Sequence, residues 1–249
     1  MDAAQTIREA VARVERIRVD ANSNPNLQVA TSSIKSFQAR RFAGTYSDLL
    51  ASQEYGPATG FFLEDLYSDK DYSLRDAQFA RIAGGLQKLF PQQVIATAVS
   101  LAKLHVLTEE LDRQMAEAWI DTGSTTPPLE DTARYVECWK SVDKEIERNE
   151  QLQMVLHIGF ELDRLTRVPG LRMMLRMMRR PATAMGMGSL QGFLESGFDI
   201  FAHMSGKGIG ARTFLSSIQE REANWIRQLS NDSKTVSIVK LQECLTSAR

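Results

Sequence analysis

The sequence predicts an all-α protein, and three observations carry that prediction. Apolar residues recur at three- and four-residue spacing through most of the chain. No run of alternating β-branched residues of strand length interrupts them. Proline and glycine gather at the ends of the periodic stretches, where helix boundaries need them. With 249 residues, 43% apolar and 24% charged, the chain can bury a core without disulfide or metal. The expected architecture is a single bundle-like domain of about eight to ten helices in two halves. It covers residues 1–230: an N-terminal half (1–121), a linker (122–128) and a C-terminal half (129–230). Residues 231–249 read as a flexible tail, although Val236, Ile238, Val239 and Leu241 give it an apolar face that can dock.

The first helix is expected over Ala3–Val19, with Ile7, Ala10, Val11, Val14 and Ile17 on one face and Asn22-Ser23-Asn24-Pro25 ending it. A second spans Asn26–Ser52 and buries Ile34, Phe37, Phe42 (or Tyr46), Leu49 and Leu50. Tyr55-Gly56-Pro57 then breaks the chain before a short helix containing Phe61 to Tyr67. Ser73, with Asp76 three residues on, has the spacing of a capping box for a helix to Leu89. Pro91 opens a long helix to Asp121. Thr122-Gly123-Ser124-Thr125-Thr126-Pro127-Pro128 is the clearest linker. Beyond it, Leu129–Arg167 is helical with a break near Asn149. A short helix lies between Pro169 and Pro181, an apolar one spans Thr183–Met204, and Ala211–Leu229 is amphipathic.

Composition excludes some classes. The net charge is −1, whereas a dedicated nucleic-acid binder carries a basic excess. Cys138 and Cys244 are the only cysteines and lack metal spacing. The N-terminus has acidic residues and no apolar segment of signal-peptide type. The longest uncharged runs fall short of the ~20 residues a membrane span requires. A soluble, cytoplasmic protein is the expectation.

The most informative stretch is Pro169–Pro181. Arg172, Arg176, Arg179 and Arg180 fall within roughly a 100° arc of its helix, and leucines and methionines fill most of the rest. Guanidinium groups in a stripe need anionic partners. The wide apolar arc favours a central packed helix whose arginines pair with internal carboxylates such as Glu64 and Asp65, holding the two halves together. An anionic ligand is the lesser possibility.

Each histidine has a carboxylate four residues away: His105 with Glu109, His157 with Glu161, and His203 with Asp199. Such pairs share a helix face and could bind a metal or cofactor, haem included, if they converged. The Glu-x-x-His spacing of di-iron bundles and the His-Glu-x-x-His of zinc proteases are both absent. Asp69-Lys70-Asp71-Tyr72-Ser73 opens like a calcium loop, but Leu74 and Ala80 stand where glycine and glutamate are required. Nucleophile elbows and phosphate loops are missing as well. Phe61 projects between Glu64 and Asp65, where it either packs on a neighbouring helix or docks a partner.

Two blocks carry a resemblance. One is Phe61-Phe62-Leu63-Glu64-Asp65-Leu66-Tyr67 with Asp71-Tyr72-Ser73-Leu74-Arg75-Asp76. The other runs from Arg180-Pro181-Ala182 to Leu190-Gln191-Gly192-Phe193-Leu194-Glu195-Ser196-Gly197-Phe198. Together they resemble a family of uncharacterised bacterial all-helical proteins, over about Tyr46–Glu222. Ser68 departs from the glycine usual in that family. The resemblance implies one architecture across both halves and a bacterial and cytoplasmic setting, and it carries no catalytic residues over.

The function expected is therefore a non-catalytic helical binding or interaction protein, with a protein partner, self-association or an anionic ligand. No cofactor is expected. One alternative is a metal- or cofactor-binding protein or enzyme built on the histidine–carboxylate pairs. Another is peripheral binding of anionic membrane or nucleic acid through residues 164–180.

Overall fold

The computed structural model describes residues 2–66, 72–123, 130–205 and 210–248, and the side chains of residues 65, 66, 86–89 and 205 lie outside that description. Among the described residues there are twelve α-helices and no strand. In chain order they are α1 (Ala3–Ser23), α2 (Pro25–Thr45), α3 (Ser47–Leu50) and α4 (Gly56–Phe61), then a π-helical turn (Phe62–Leu66). Next come α5 (Ser73–Leu89), α6 (Gln92–Thr122), α7 (Asp131–Val142), α8 (Glu145–Leu165) and α9 (Leu171–Ala184). The last three are α10 (Gly188–Ser205), α11 (Gly210–Asn231) and α12 (Lys234–Thr246).

Local chemistry accounts for the ends. Asn24 caps α2 by accepting from the amides of Asn26 and Leu27, with Pro25 in the first turn. The Pro91 carbonyl accepts from Val94 and Ile95 at the start of α6. Asp143, with φ of 46°, ends α7 in the left-handed conformation that aspartate tolerates. The break therefore falls at residues 143–144, and α8 runs unbroken through Asn149, contrary to the sequence reading. The stretch expected as one helix from Asn26 to Ser52 stops at Thr45, because Tyr46 leaves the helical region and restarts the chain as α3. Pro181 does not end α9, which continues to Ala184 and turns at Gly186, with φ of 69°. These short extra pieces raise the helix count above the expected eight to ten. Where the sequence suggests a flexible tail, Ser233 caps α12 and Leu241 is wholly buried. The linker residues 124–128 lie outside the described residues.

The chain divides into two compact units, each drawing on sequence from both sides of the 122–128 linker. Unit 1 comprises residues 1–15, 70–106 and 154–217. One of its cores is built from Ala4, Ile7, Ala10, Ala83 and Ala102. Another gathers Leu165, Leu171, Leu175 and Phe198, with Met174 and Val94 packed against it. Small residues in the first let the helix axes approach, while the second is filled by larger side chains.

Unit 2 comprises residues 16–69, 107–153 and 218–249. Its centre holds Phe37 stacked on Tyr135 with ring centroids 4.2 Å apart, and Tyr135 tilted against Trp139 at 6.1 Å. Helix α12 packs on α2 and α7. The α2–α12 approach is so close that a Cβ at Gly44 would overlap the backbone carbonyl of Cys244. Only glycine fits there.

Candidate functional site

Helix α9 carries four arginines, no acidic residue and a strongly two-sided distribution of side chains. Leu171, Leu175 and Ala182 face the core of unit 1. The opposite side is exposed, which corrects the expectation of a central packed helix. Met173 is 66% exposed and Met177, one turn on, 65%. Methionine counts as apolar in a sequence whether it is buried or not, so the apolar arc overstated the packed face.

The arginines find their carboxylates on α10. Arg172 Nε donates to Asp199 Oδ1 at 2.8 Å, and Arg176 lies 3.8 Å from the other oxygen of the same carboxylate. Arg179 engages Glu195 through Nε at 3.1 Å and through Nη2. That guanidinium holds the Glu195 carboxyl below its ordinary value of 4.5. Arg180 is exposed and makes no ion pair among the described residues. Three guanidinium groups thus share two carboxylates and a fourth stands beside them, so the face keeps a positive excess. Both pairs lie within the C-terminal half of the sequence, where they cannot join it to the N-terminal half. Glu64 is exposed in unit 2, and the Asp65 side chain lies outside the described residues.

A buried scaffold fixes this surface. Gln191 Nε2 donates to the Leu175 carbonyl at 2.6 Å and to Glu195 Oε1 at 2.8 Å. Gln78 of α5 reaches the α9–α10 turn, donating to the Gly186 carbonyl and accepting from the Leu190 amide, each at 2.9 Å. Neither glutamine stands out in the sequence, because an isolated amide carries no spacing signal.

The histidines do not assemble. His157 and His203 are exposed. Asp199 is committed to Arg172 and Arg176, and Glu161 lies 3.7 Å from Arg164. His105 pairs through Nε2 with Asp76 Oδ2 at 3.0 Å, whereas Glu109 receives Lys35 at 2.9 Å and Arg18 at 3.3 Å. Among the described residues no group of three metal-ligating side chains comes together. Phe61 is 7% exposed and packs inside, so it offers no docking ring. No helix among the described residues is long and apolar enough to cross a membrane.

Unit 2 contains a second charged assembly that the sequence does not reveal. Arg41 grips Glu222 with Nη1 at 3.0 Å and Nη2 at 2.8 Å, and the Tyr46 hydroxyl donates to Glu222 Oε1 at 2.8 Å. Burial works against the Arg41 charge, but the Glu222 charge and its hydrogen bonds outweigh burial and raise the pKa. Nearby, burial pushes the Asp112 carboxyl and the Tyr135 hydroxyl up, and pulls the Arg148 guanidinium down. Arg148 lies 3.8 Å from the Trp139 ring centroid, and its Nη2 has no hydrogen-bond partner among the described residues. Partners here are separated by up to 181 residues, which hides them from any local pattern.

No curated protein and no solved structure matches the chain. One family model does match, over residues 18–236, under the description "Domain of unknown function (DUF8198)". That span includes most of both units, and the chain belongs to this family.

Proposed function

We propose that the protein is a non-catalytic helical binding protein that takes an acidic, amphipathic helix of a protein partner on the exposed Arg/Met face of α9. The observation that carries this reading is the exposure of Met173 and Met177 one turn apart, on a helix whose arginines exceed their carboxylates. Solvent-exposed methionines cost the free protein hydrophobic energy, and their flexible thioethers adapt to varied apolar partners. Arg176 and Arg180 supply steering and register for a partner bearing glutamates. The Gln191 and Gln78 hydrogen bonds hold the face in place before a partner arrives, which lowers the entropy cost of binding.

Fluorescence anisotropy with a labelled helical peptide, leucine on one face and glutamate on the other, tests the reading. Binding should weaken with salt and be lost in the Arg176→Glu, Arg180→Glu double variant while circular dichroism stays unchanged. Binding that ignores both charge reversals would sink the proposal. Preference for phosphatidylserine vesicles or a duplex over the peptide would replace it with the peripheral-binding reading. Concentration-dependent dimerisation lost in the same variant would make a second copy the partner.

A further inference from the structure

Unit 2 bears an open groove of about 680 Å³ bounded by α2, the end of α6 and the start of α7. This is within the size range of sites for small organic molecules. Its polar lining includes Ser32, Ser33, Ser36, Arg40 and Arg134, and Phe37, Val29 and Trp119 supply apolar wall. We propose that this groove binds a small phosphate monoester with a hydroxylated body, a function separate from the α9 face.

The charge balance points to an anion. Arg40 and Arg134 line the groove against one carboxylate, Asp131. Arg40 is exposed and makes no ion pair among the described residues, and its guanidinium lies 5.5 Å from the Phe37 ring centroid. Arg134 is held in place. Its Nε donates to Thr122 Oγ1 and the Trp119 carbonyl at 3.2 Å, Nη2 donates to the same carbonyl, and the guanidinium lies 4.2 Å from the Trp119 ring centroid. Among the described residues Nη1 has no acceptor, which leaves it for another. Gly123 makes room for this arrangement, since a Cβ there would collide with Arg134 Nη2.

Two guanidinium groups suit a dianionic phosphate, which accepts forked hydrogen bonds from arginine. The rest of the lining suits hydroxyl groups. Ser33 Oγ donates to the Val29 carbonyl at 2.9 Å and keeps its lone pairs, while the hydroxyls of Ser32 and Ser36 make no hydrogen bond among the described residues. Asp131 can accept from a ligand hydroxyl. A nucleic acid fits less well, because its repeated phosphates would meet two arginines and then a carboxylate.

Titration of ¹⁵N-labelled full-length protein with glycerol 3-phosphate, inorganic phosphate and glycerol tests the proposal by NMR. Glycerol 3-phosphate should shift the Ser32 and Ser36 amides and the Trp119 indole saturably. Inorganic phosphate should do so more weakly and glycerol not at all. Arg40→Gln should weaken glycerol 3-phosphate by roughly tenfold or more, the worth of a hydrogen bond to a charged group. Arg40→Lys should recover part of the loss, and Ser32→Trp should block the groove with the remaining spectrum intact. Absence of saturable shifts in the wild type, equal shifts with glycerol, or unchanged affinity in Arg40→Gln and Ser32→Trp would overturn it.

Discussion

The α9–α10 surface of unit 1 and the Arg41–Glu222 cluster of unit 2 use the same chemistry to opposite ends. Both pair arginine with carboxylate. On α9 the arginine side chains are 52–63% exposed in their ion pairs, whereas Arg41 and Glu222 are 7% and 13% exposed. Exposed pairs are screened by water and salt and add little to stability. A buried pair has lost its hydration, and removing one member strands the other. The comparison teaches that burial separates arginines that hold this fold from arginines that remain open to solvent.

The largest break should come from Arg41→Ala. It leaves Glu222 buried with only Tyr46 donating to it among the hydrogen bonds described, and should cost about 3–5 kcal/mol in urea unfolding. Joint replacement by Arg41→Met and Glu222→Leu should recover most of that loss. Persistent instability of the double variant would mean that the pair does more than neutralise itself. Next is Gly44→Val. Its side chain enters the space of the Cys244 backbone, so α2 and α12 must separate, at about 1–3 kcal/mol or more. Failure of that variant to lower the midpoint would show that the two helices can slide apart freely.

Arg172→Gln should sit far below both, at less than about 1 kcal/mol, because its partner is itself half exposed. The smallest effect is a titration. In the folded protein the Glu195 carboxyl titrates below 4.5, held down first by its hydrogen bond to Arg179. A depressed carboxylate contributes stability above its unfolded value and loses it as pH falls through the folded one. NMR of the Glu195 carboxyl should show the depression, and Arg179→Gln should move the titration up towards 4.5. Identical titration in both proteins would remove Arg179 from the account.

Much of the fold was legible because its boundaries are local. Asn24-Pro25 and Pro91 mark the starts of α2 and α6 through short-range hydrogen bonds and the geometry of proline. The breaks at Tyr46 and Asp143 were not legible. Neither residue is a helix breaker by composition, and tertiary packing decides whether the chain stops there. At the candidate site, the arginine stripe and its spacing could be read directly, since α-helical periodicity fixes them. Its partners could not, because Glu195 and Asp199 are opposite the stripe only once α9 folds back at Gly186. His105 makes the same point: Glu109 is four residues away, yet Asp76 is the partner that packing supplies. Exposure of Met173 and Met177 was equally hidden, as no periodicity distinguishes an apolar face that packs from one that waits.

The central claim is that this methionine face binds and does not hold the fold. The measurement that tests it most directly is the binding isotherm of the acidic amphipathic peptide for wild type and for Met173→Asp with Met177→Asp. Because both side chains are exposed, the account predicts that the double variant loses binding while its urea midpoint stays within experimental scatter. Retained affinity in a folded double variant would contradict it.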